Sequence, residues 1–173
     1  MRVQEHLKLS TVAAAVAFPW LKQDIWLPFA ASILIDVDHY LWYAVTRRDL
    51  SLRAAVRYFG GAHPSSTSWA RCLHHPLALG CLLFLVVRWR SRFLWLVLAG
   101  LLFHVSLDFI HVDRMERLKQ NLTAQAQGVC PACGECADAF ELHTLRFSRN
   151  IFDRYNIVHF KVLCPQCHEL AHA

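Results

Sequence analysis

His104, Asp108 and His111 stand at i, i+4 and i+7, which puts all three on one face of a single helix. Asp36 and His39 stand at i and i+3 and share a face too. Asp38 points elsewhere unless the helix breaks beside it. His74 and His75 open another apolar run, and His6 precedes the first one. Carboxylate oxygen and imidazole nitrogen are ligands for zinc, manganese or iron. A metal held by them would polarise an ester or phosphate and lower the pKa of a water. The bland alternative is a mutually paired polar network that fixes helix register. Both signs arrive from several separate segments, and pairing alone does not require that.

A second group is made of thiols. Cys130-Pro-Ala-Cys133 and Cys164-Pro-Gln-Cys167 are two C-x-x-C knuckles with 30 residues between them. That pattern predicts a closed, four-thiolate structural zinc site. Disulfides are the alternative, and a cytoplasmic placement disfavours them. A module of about 45 residues has too small a core to fold readily without such a staple. Cys136 is left over, either a bystander or a replacement for a knuckle ligand.

The imidazole and carboxylate group must be positioned by the apolar segments around it. Four can be read: residues 9–21, 25–45, 73–87 and 93–111. A spanning helix needs about 20 residues, with ~17 at the low end. The second and fourth have that length. The first and third are short, and would be short spans, re-entrant pieces or buried helices. The first also admits a signal-peptide reading, with Ala15-Val16-Ala17 as a cleavage site. Ionisable groups at membrane depth cost at least ~2.5 kcal/mol each, so their number here points to a function.

Composition agrees. The chain has 173 residues, 55% of them hydrophobic and 18% charged, with a net charge of +5. Typical soluble domains are ~25% charged. Disorder is excluded, and a purely soluble monomer is disfavoured. Residues 1–112 carry 11 Lys/Arg against 6 Asp/Glu, whereas residues 113–173 carry 7 of each. The basic excess therefore belongs to the apolar part, where arginines flank membrane segments. Arg47, Arg48, Arg53, Arg57 and Arg71 lie in one loop region, with residues 50–59 readable as an interfacial amphipathic helix. Gly60-Gly61 and Pro64-Ser65-Ser66 then read as loop. If all four segments cross, the positive-inside rule makes that side cytoplasmic, although Arg88, Arg90 and Arg92 would then lie opposite.

The expected fold is mostly α. It comprises a membrane bundle of about four apolar helices over residues 1–112, a helical linker at 113–127, and a small zinc module at 128–173.

Two resemblances follow. Over residues 1–112, His6, Ile35-Asp36-Val37-Asp38-His39, Arg71-Cys72-Leu73-His74-His75-Pro76 and His104-Val105-Ser106-Leu107-Asp108 resemble the membrane-bound, metal-dependent hydrolase family of bacteria and archaea. This implies His6, Asp36, His39, His75, His104 and Asp108 as metal ligands, and Asp38 as a ligand or a base. Asp38, His75, His104 and Asp108 would be the catalytic set. It also implies a second divalent metal (zinc, manganese or iron), an inner-membrane location, and a lipid or other phosphoester substrate. Ile35 stands where the family has Pro, Ala70 where it has His, and Pro76 where it has Ser. His74 or His63 would substitute for a missing ligand. Over residues 128–173 the chain is similar to the HNH endonuclease module, a treble-clef (ββα) zinc fold. His143 matches the first His of its pair, Thr144 replaces the second, which is the family's general base, and His159 stands where Asn is usual. His168 and His172 match the closing histidines. The resemblance implies a metal-binding remnant of His143, His159, His168 and His172. Loss of the base should cost on the order of 10²–10⁴ in rate. Nucleic acid is then a partner with little charge to support it, since only Arg146, Arg149, Arg154 and Lys161 are available.

Overall fold

The computed structural model describes residues 3–59, 72–146, 148, 150 and 153–172. His63, the loop at 60–71 with Ala70 and Arg71, and Arg149 lie outside the described residues. The chain is mostly helical and divides into two compact units, Met1–Asp108 and Phe109–Ala173.

In the first unit, α1 runs Val3–Leu21 with Pro19 in its last turn. Lys22 then adopts a left-handed backbone (φ 49°), which ends the helix and starts a short 3-10 turn, Lys22–Ile25. The second apolar segment does not continue as one helix. It becomes α2 (Trp26–Leu34) and α3 (Val37–Arg47), separated by a turn at Ile35 and Asp36. Ile35 is buried in that turn, at 1% exposure, and anchors the break. Then come α4 (Leu52–Phe59), α5 (Pro76–Trp89) and α6 (Arg92–Ala126). Pro76 occupies the first turn of α5, where its missing N–H costs nothing.

Two close contacts set the frame of this unit. A methyl group at Gly100 on α6 would collide with the Pro28 carbonyl of α2, so α6 reaches α2 only because that position has no side chain. One turn further along α2, the hydroxyls of Ser10 (α1) and Ser32 (α2) are hydrogen-bonded at 3.0 Å, both buried.

The expected bundle of about four apolar membrane helices does not form. Among the described residues α6 alone is long and apolar enough to cross a membrane, and only 17% of its apolar stretch is buried within the protein. α1 begins with Gln4, Glu5, His6 and Lys8. The 9 residues of α2 and 11 of α3 are each too short once the turn divides them. The 14 residues of α5 reach only about 21 Å at ~1.5 Å per residue, less than a ~30 Å hydrocarbon core. Large apolar side chains are nevertheless exposed on α1 (Val16, Phe18, Trp20), α5 (Phe84, Val87) and α6 (Phe93, Leu102, Phe109).

The second unit begins with the remaining turns of α6. The stretch read as a separate linker is thus continuous with the fourth apolar segment as far as Ala126. A knuckle follows, closed by hydrogen bonds from Cys130 N–H to the Glu135 carbonyl (2.9 Å) and from Gly134 N–H to the Cys130 carbonyl (2.8 Å). Gly134 takes φ +75°, a conformation that side chains resist. Strands β1 (Glu141–Thr144) and β2 (Phe160–Leu163) pair antiparallel, with His143 opposite Lys161. Helix α7 (Pro165–Leu170) comes directly after. The core is Cys130, Phe140, Val162, Leu163 and Cys164, with Leu122 and Ala126 of α6 packed on it.

Candidate metal centres

The first centre lies in the first unit, where α1, the α2–α3 turn, the turn before α5, and α6 meet. The break at Ile35–Asp36 turns both Asp36 and Asp38 toward the same group. His74 Nε2 and His104 Nε2 are 3.3 Å apart. Asp36 Oδ1 lies 3.5 Å from the first and 3.4 Å from the second. Asp108 Oδ2 lies 3.9 Å and 3.5 Å from them. Asp36, His74 and His104 thus offer atoms that all lie within 4.8 Å of one another, as do His6, His104 and Asp108, and Asp38, His39 and His74.

The far sides of these ligand groups are held as well. His104 Nδ1 lies 2.6 Å from the Ser32 carbonyl, buried. A carbonyl only accepts, so Nδ1 carries a proton, and Nε2 faces the centre. His74 Nδ1 donates in the same way to Asp38 Oδ2 at 3.4 Å. Asp38, 5% exposed, also accepts from the N–H groups of His39 (2.7 Å) and Leu73 (3.0 Å), pinning the turn that carries His74. His6 Nε2 holds the other Asp108 oxygen at 3.0 Å, and its ring stacks on His104 with centroids 3.9 Å apart. His104 is fully buried.

His39 joins a set with Asp38 and His74, whereas His75 joins none among the described residues. The Nδ1 of His39 is engaged by Asp38 Oδ1 at 2.6 Å and is 4.0 Å from Asp36. His75 is exposed, and its Nδ1 accepts from Leu77 N–H at 3.2 Å, capping α5. The group therefore contains His74 where His75 was expected. Pro76 explains the exchange. A residue before proline is driven to extended backbone, and His75 has φ −72° and ψ 134°. That flips its side chain away from that of His74. His111 lies outside the group as well, with Nδ1 2.9 Å from the Tyr155 hydroxyl.

The second centre is the thiol group. The sulfurs of Cys130, Cys133, Cys164 and Cys167 all lie within 4.8 Å of one another, close enough to hold a metal such as zinc. Backbone N–H groups, first that of Cys164, pull the Cys130 thiol down to about 6, which favours thiolate. Cys167 is pushed up to about 12 by its neighbouring thiols, Cys164 foremost. A cation would relieve that mutual repulsion and displace protons. Cys136 is exposed, pairs its backbone with Val129, and stands outside the group.

A third group is formed by His143, His168 and His172. His168 Nδ1 contacts Glu141 Oε2 at 2.6 Å, and its Nε2 lies 3.3 Å from His172 Nε2. Burial, then His172 and Lys161, keep the His143 imidazole below its ordinary pKa and so neutral, the form that binds metals. Its Nδ1 is buried without a hydrogen-bond partner among the described residues. His159 is not brought into this group; its Nε2 pairs with Asp153 Oδ2 at 2.8 Å.

Sequence reasoning missed the Ser10–Ser32 pair, the Ser32 carbonyl behind His104, and Glu141 behind His168. For Glu141 a signal existed, since it lies two residues before His143 and so shares its strand face. No protein-family model, curated protein or solved structure matches the chain.

Proposed function

We propose that the first unit is a membrane-associated, metal-dependent hydrolase acting on an ester or phosphoester. Asp36, His74, His104 and Asp108 hold the ion. The observation that carries this reading is their spacing. Ligand atoms at ~2.1 Å from an ion in tetrahedral geometry stand about 3.4 Å from one another; the Asp36, His74 and His104 atoms stand 3.3 to 3.5 Å apart, and Asp108 Oδ2 stands 3.5 Å and 3.9 Å from the two imidazoles. A divalent ion there would supply Lewis acidity toward a carbonyl or phosphoryl oxygen and would acidify a water. The protein's own part is orientation. Asp38 and the Ser32 carbonyl fix both imidazoles with Nε2 inward, and His6 leaves one Asp108 oxygen for the centre. Such backing groups ordinarily change metal affinity by about 10–100-fold. The exposed apolar faces of α1, α5 and α6 support a bilayer setting, and with it a lipid or other membrane-resident substrate. The arginines of α3 and α4 support a cytoplasmic-side location for that face.

A second reading is favoured by the histidine group of the second unit. The hairpin, α7 and His143–His168–His172 fit a treble-clef, HNH-like module with a second metal position. Thr144 supplies no general base, so this reading is a binding or degenerate nuclease module.

Elemental analysis of the purified full chain decides between them. The double variant His104→Ala/Asp108→Ala should lose one equivalent of metal, and hydrolysis in a phosphoester screen, while keeping the thiolate-bound zinc. A metal content equal to that of the unsubstituted protein overturns the hydrolase reading and leaves the second.

A further inference from the structure

We infer that the outer face of α4, with the end of α3, is a recognition surface for the headgroups of anionic phospholipids. The inference rests on the bilayer setting proposed above but not on hydrolysis.

α4 has two unlike sides. Ala55 is buried and, with Tyr58 and Phe59, faces α3. The rings of Tyr43 and Tyr58 lie 5.5 Å apart, and those of Trp42 and Phe59 lie 6.0 Å apart. The Tyr40 hydroxyl ties down the preceding loop by donating to the Leu50 carbonyl at 2.9 Å. The opposite side carries two adjacent stripes at i, i+4 spacing. One is apolar, Leu52 at 64% and Val56 at 48% exposure, continued by Leu50 at 78%. The other is Arg53 and Arg57, both exposed. A side facing only water gains nothing from the first stripe, and a side facing only acyl chains cannot take the second. The lipid headgroup boundary takes both.

Charge selects the kind of lipid. Arg47, Arg48, Arg53 and Arg57 are all exposed, and the sole acid among described residues 46–59 is Asp49. Its two oxygens are already engaged, by the Tyr43 hydroxyl at 3.0 Å and the Ser51 N–H at 2.8 Å. Arg47 is braced in place, its guanidinium 5.0 Å from the Tyr58 ring centroid. A guanidinium matches a phosphate oxygen pair in charge and shape.

The test uses the full chain, delipidated in a neutral detergent. It is exposed to equal amounts of phosphatidylglycerol and phosphatidylcholine with matched acyl chains, and retained lipid is read by native mass spectrometry. The unsubstituted protein should retain phosphatidylglycerol preferentially. Arg53→Gln/Arg57→Gln should lower that preference by up to about 30-fold, from ~1 kcal/mol per surface arginine. Arg88→Gln/Arg90→Gln, at the far end of α5, should keep it. Equal retention of the two lipids by the unsubstituted protein overturns the inference. So does a preference that survives in the α4 variant, or one abolished equally by the α5 variant. Metal content measured on the same samples reports on the hydrolase reading separately, since neither variant touches the metal group.

Discussion

At the scale of single residues, the proposed metal group depends on imidazoles whose two nitrogens have different partners. His74 and His104 each give Nδ1 to an acceptor, Asp38 or the Ser32 carbonyl, and keep Nε2 for the centre. His75 is chemically identical and adjacent, yet its ring caps α5. This gives a sharp contrast. His74→Ala should remove one equivalent of metal from the purified chain. His75→Ala should leave metal content unchanged and cost about 0.5–2 kcal/mol of stability through the lost helix cap. Elemental analysis and thermal unfolding of the two variants check both halves. Loss of metal from the His75 variant alone would reverse the assignment. Asp38→Asn keeps the shape of the backing group but removes its charge, so metal should be retained with affinity lower by about 10–100-fold, read by competition with a chelator.

At the scale of elements, the site depends on how closely two helices, α2 and α6, approach. His104 finds the Ser32 carbonyl at 2.6 Å because α6 lies against α2, and that approach exists because Gly100 has no side chain. Gly100→Ala should lower stability by about 1–3 kcal/mol through overpacking and weaken metal retention by moving His104 off its acceptor. Gly80 on α5 is the control. Nothing lies within 4 Å of a methyl placed there, so Gly80→Ala should be neutral or slightly stabilising. Equal thermal midpoints for both variants would show that the α2–α6 contact does not carry the site. This scale also marks what could be read in advance. His104 and Asp108 were legible because one helix fixes their spacing, and the two knuckles were legible because chain-local thiols need no tertiary knowledge. Asp38 was legible only on the condition of a helix break, and the structure supplies that break at Ile35–Asp36. The number of spans was not legible, because hydropathy does not register the left-handed Lys22 or a turn inside an apolar run. The backing role of the Ser32 carbonyl leaves no trace in side-chain identity at all.

At the scale of the molecule, the two units are held together by different means. The first has extended helices, a polar group inside, and apolar faces outside. The second has a core of five buried residues, two of which, Cys130 and Cys164, belong to the thiol group. Four thiolates at that spacing would repel one another, so a cation among them is what would let them sit together beside Phe140, Val162 and Leu163. Structural zinc contributes about 10–16 kcal/mol of apparent binding energy in small modules, more than such a core supplies. Stripping zinc with a chelator in detergent should therefore unfold the second unit selectively. Hydrogen exchange followed by mass spectrometry would then report lost protection over residues 128–146 and 153–172. Protection across α1, α2 and α3 should persist, because no thiol of the group lies there. A Cys130→Ser/Cys164→Ser variant should give the same pattern without chelator, which separates loss of the thiol-bound ion from loss of an ion at Asp36, His74, His104 and Asp108. If instead protection falls equally in both units with either treatment, the chain folds as one cooperative body, and the thiol site stabilises the first unit as well.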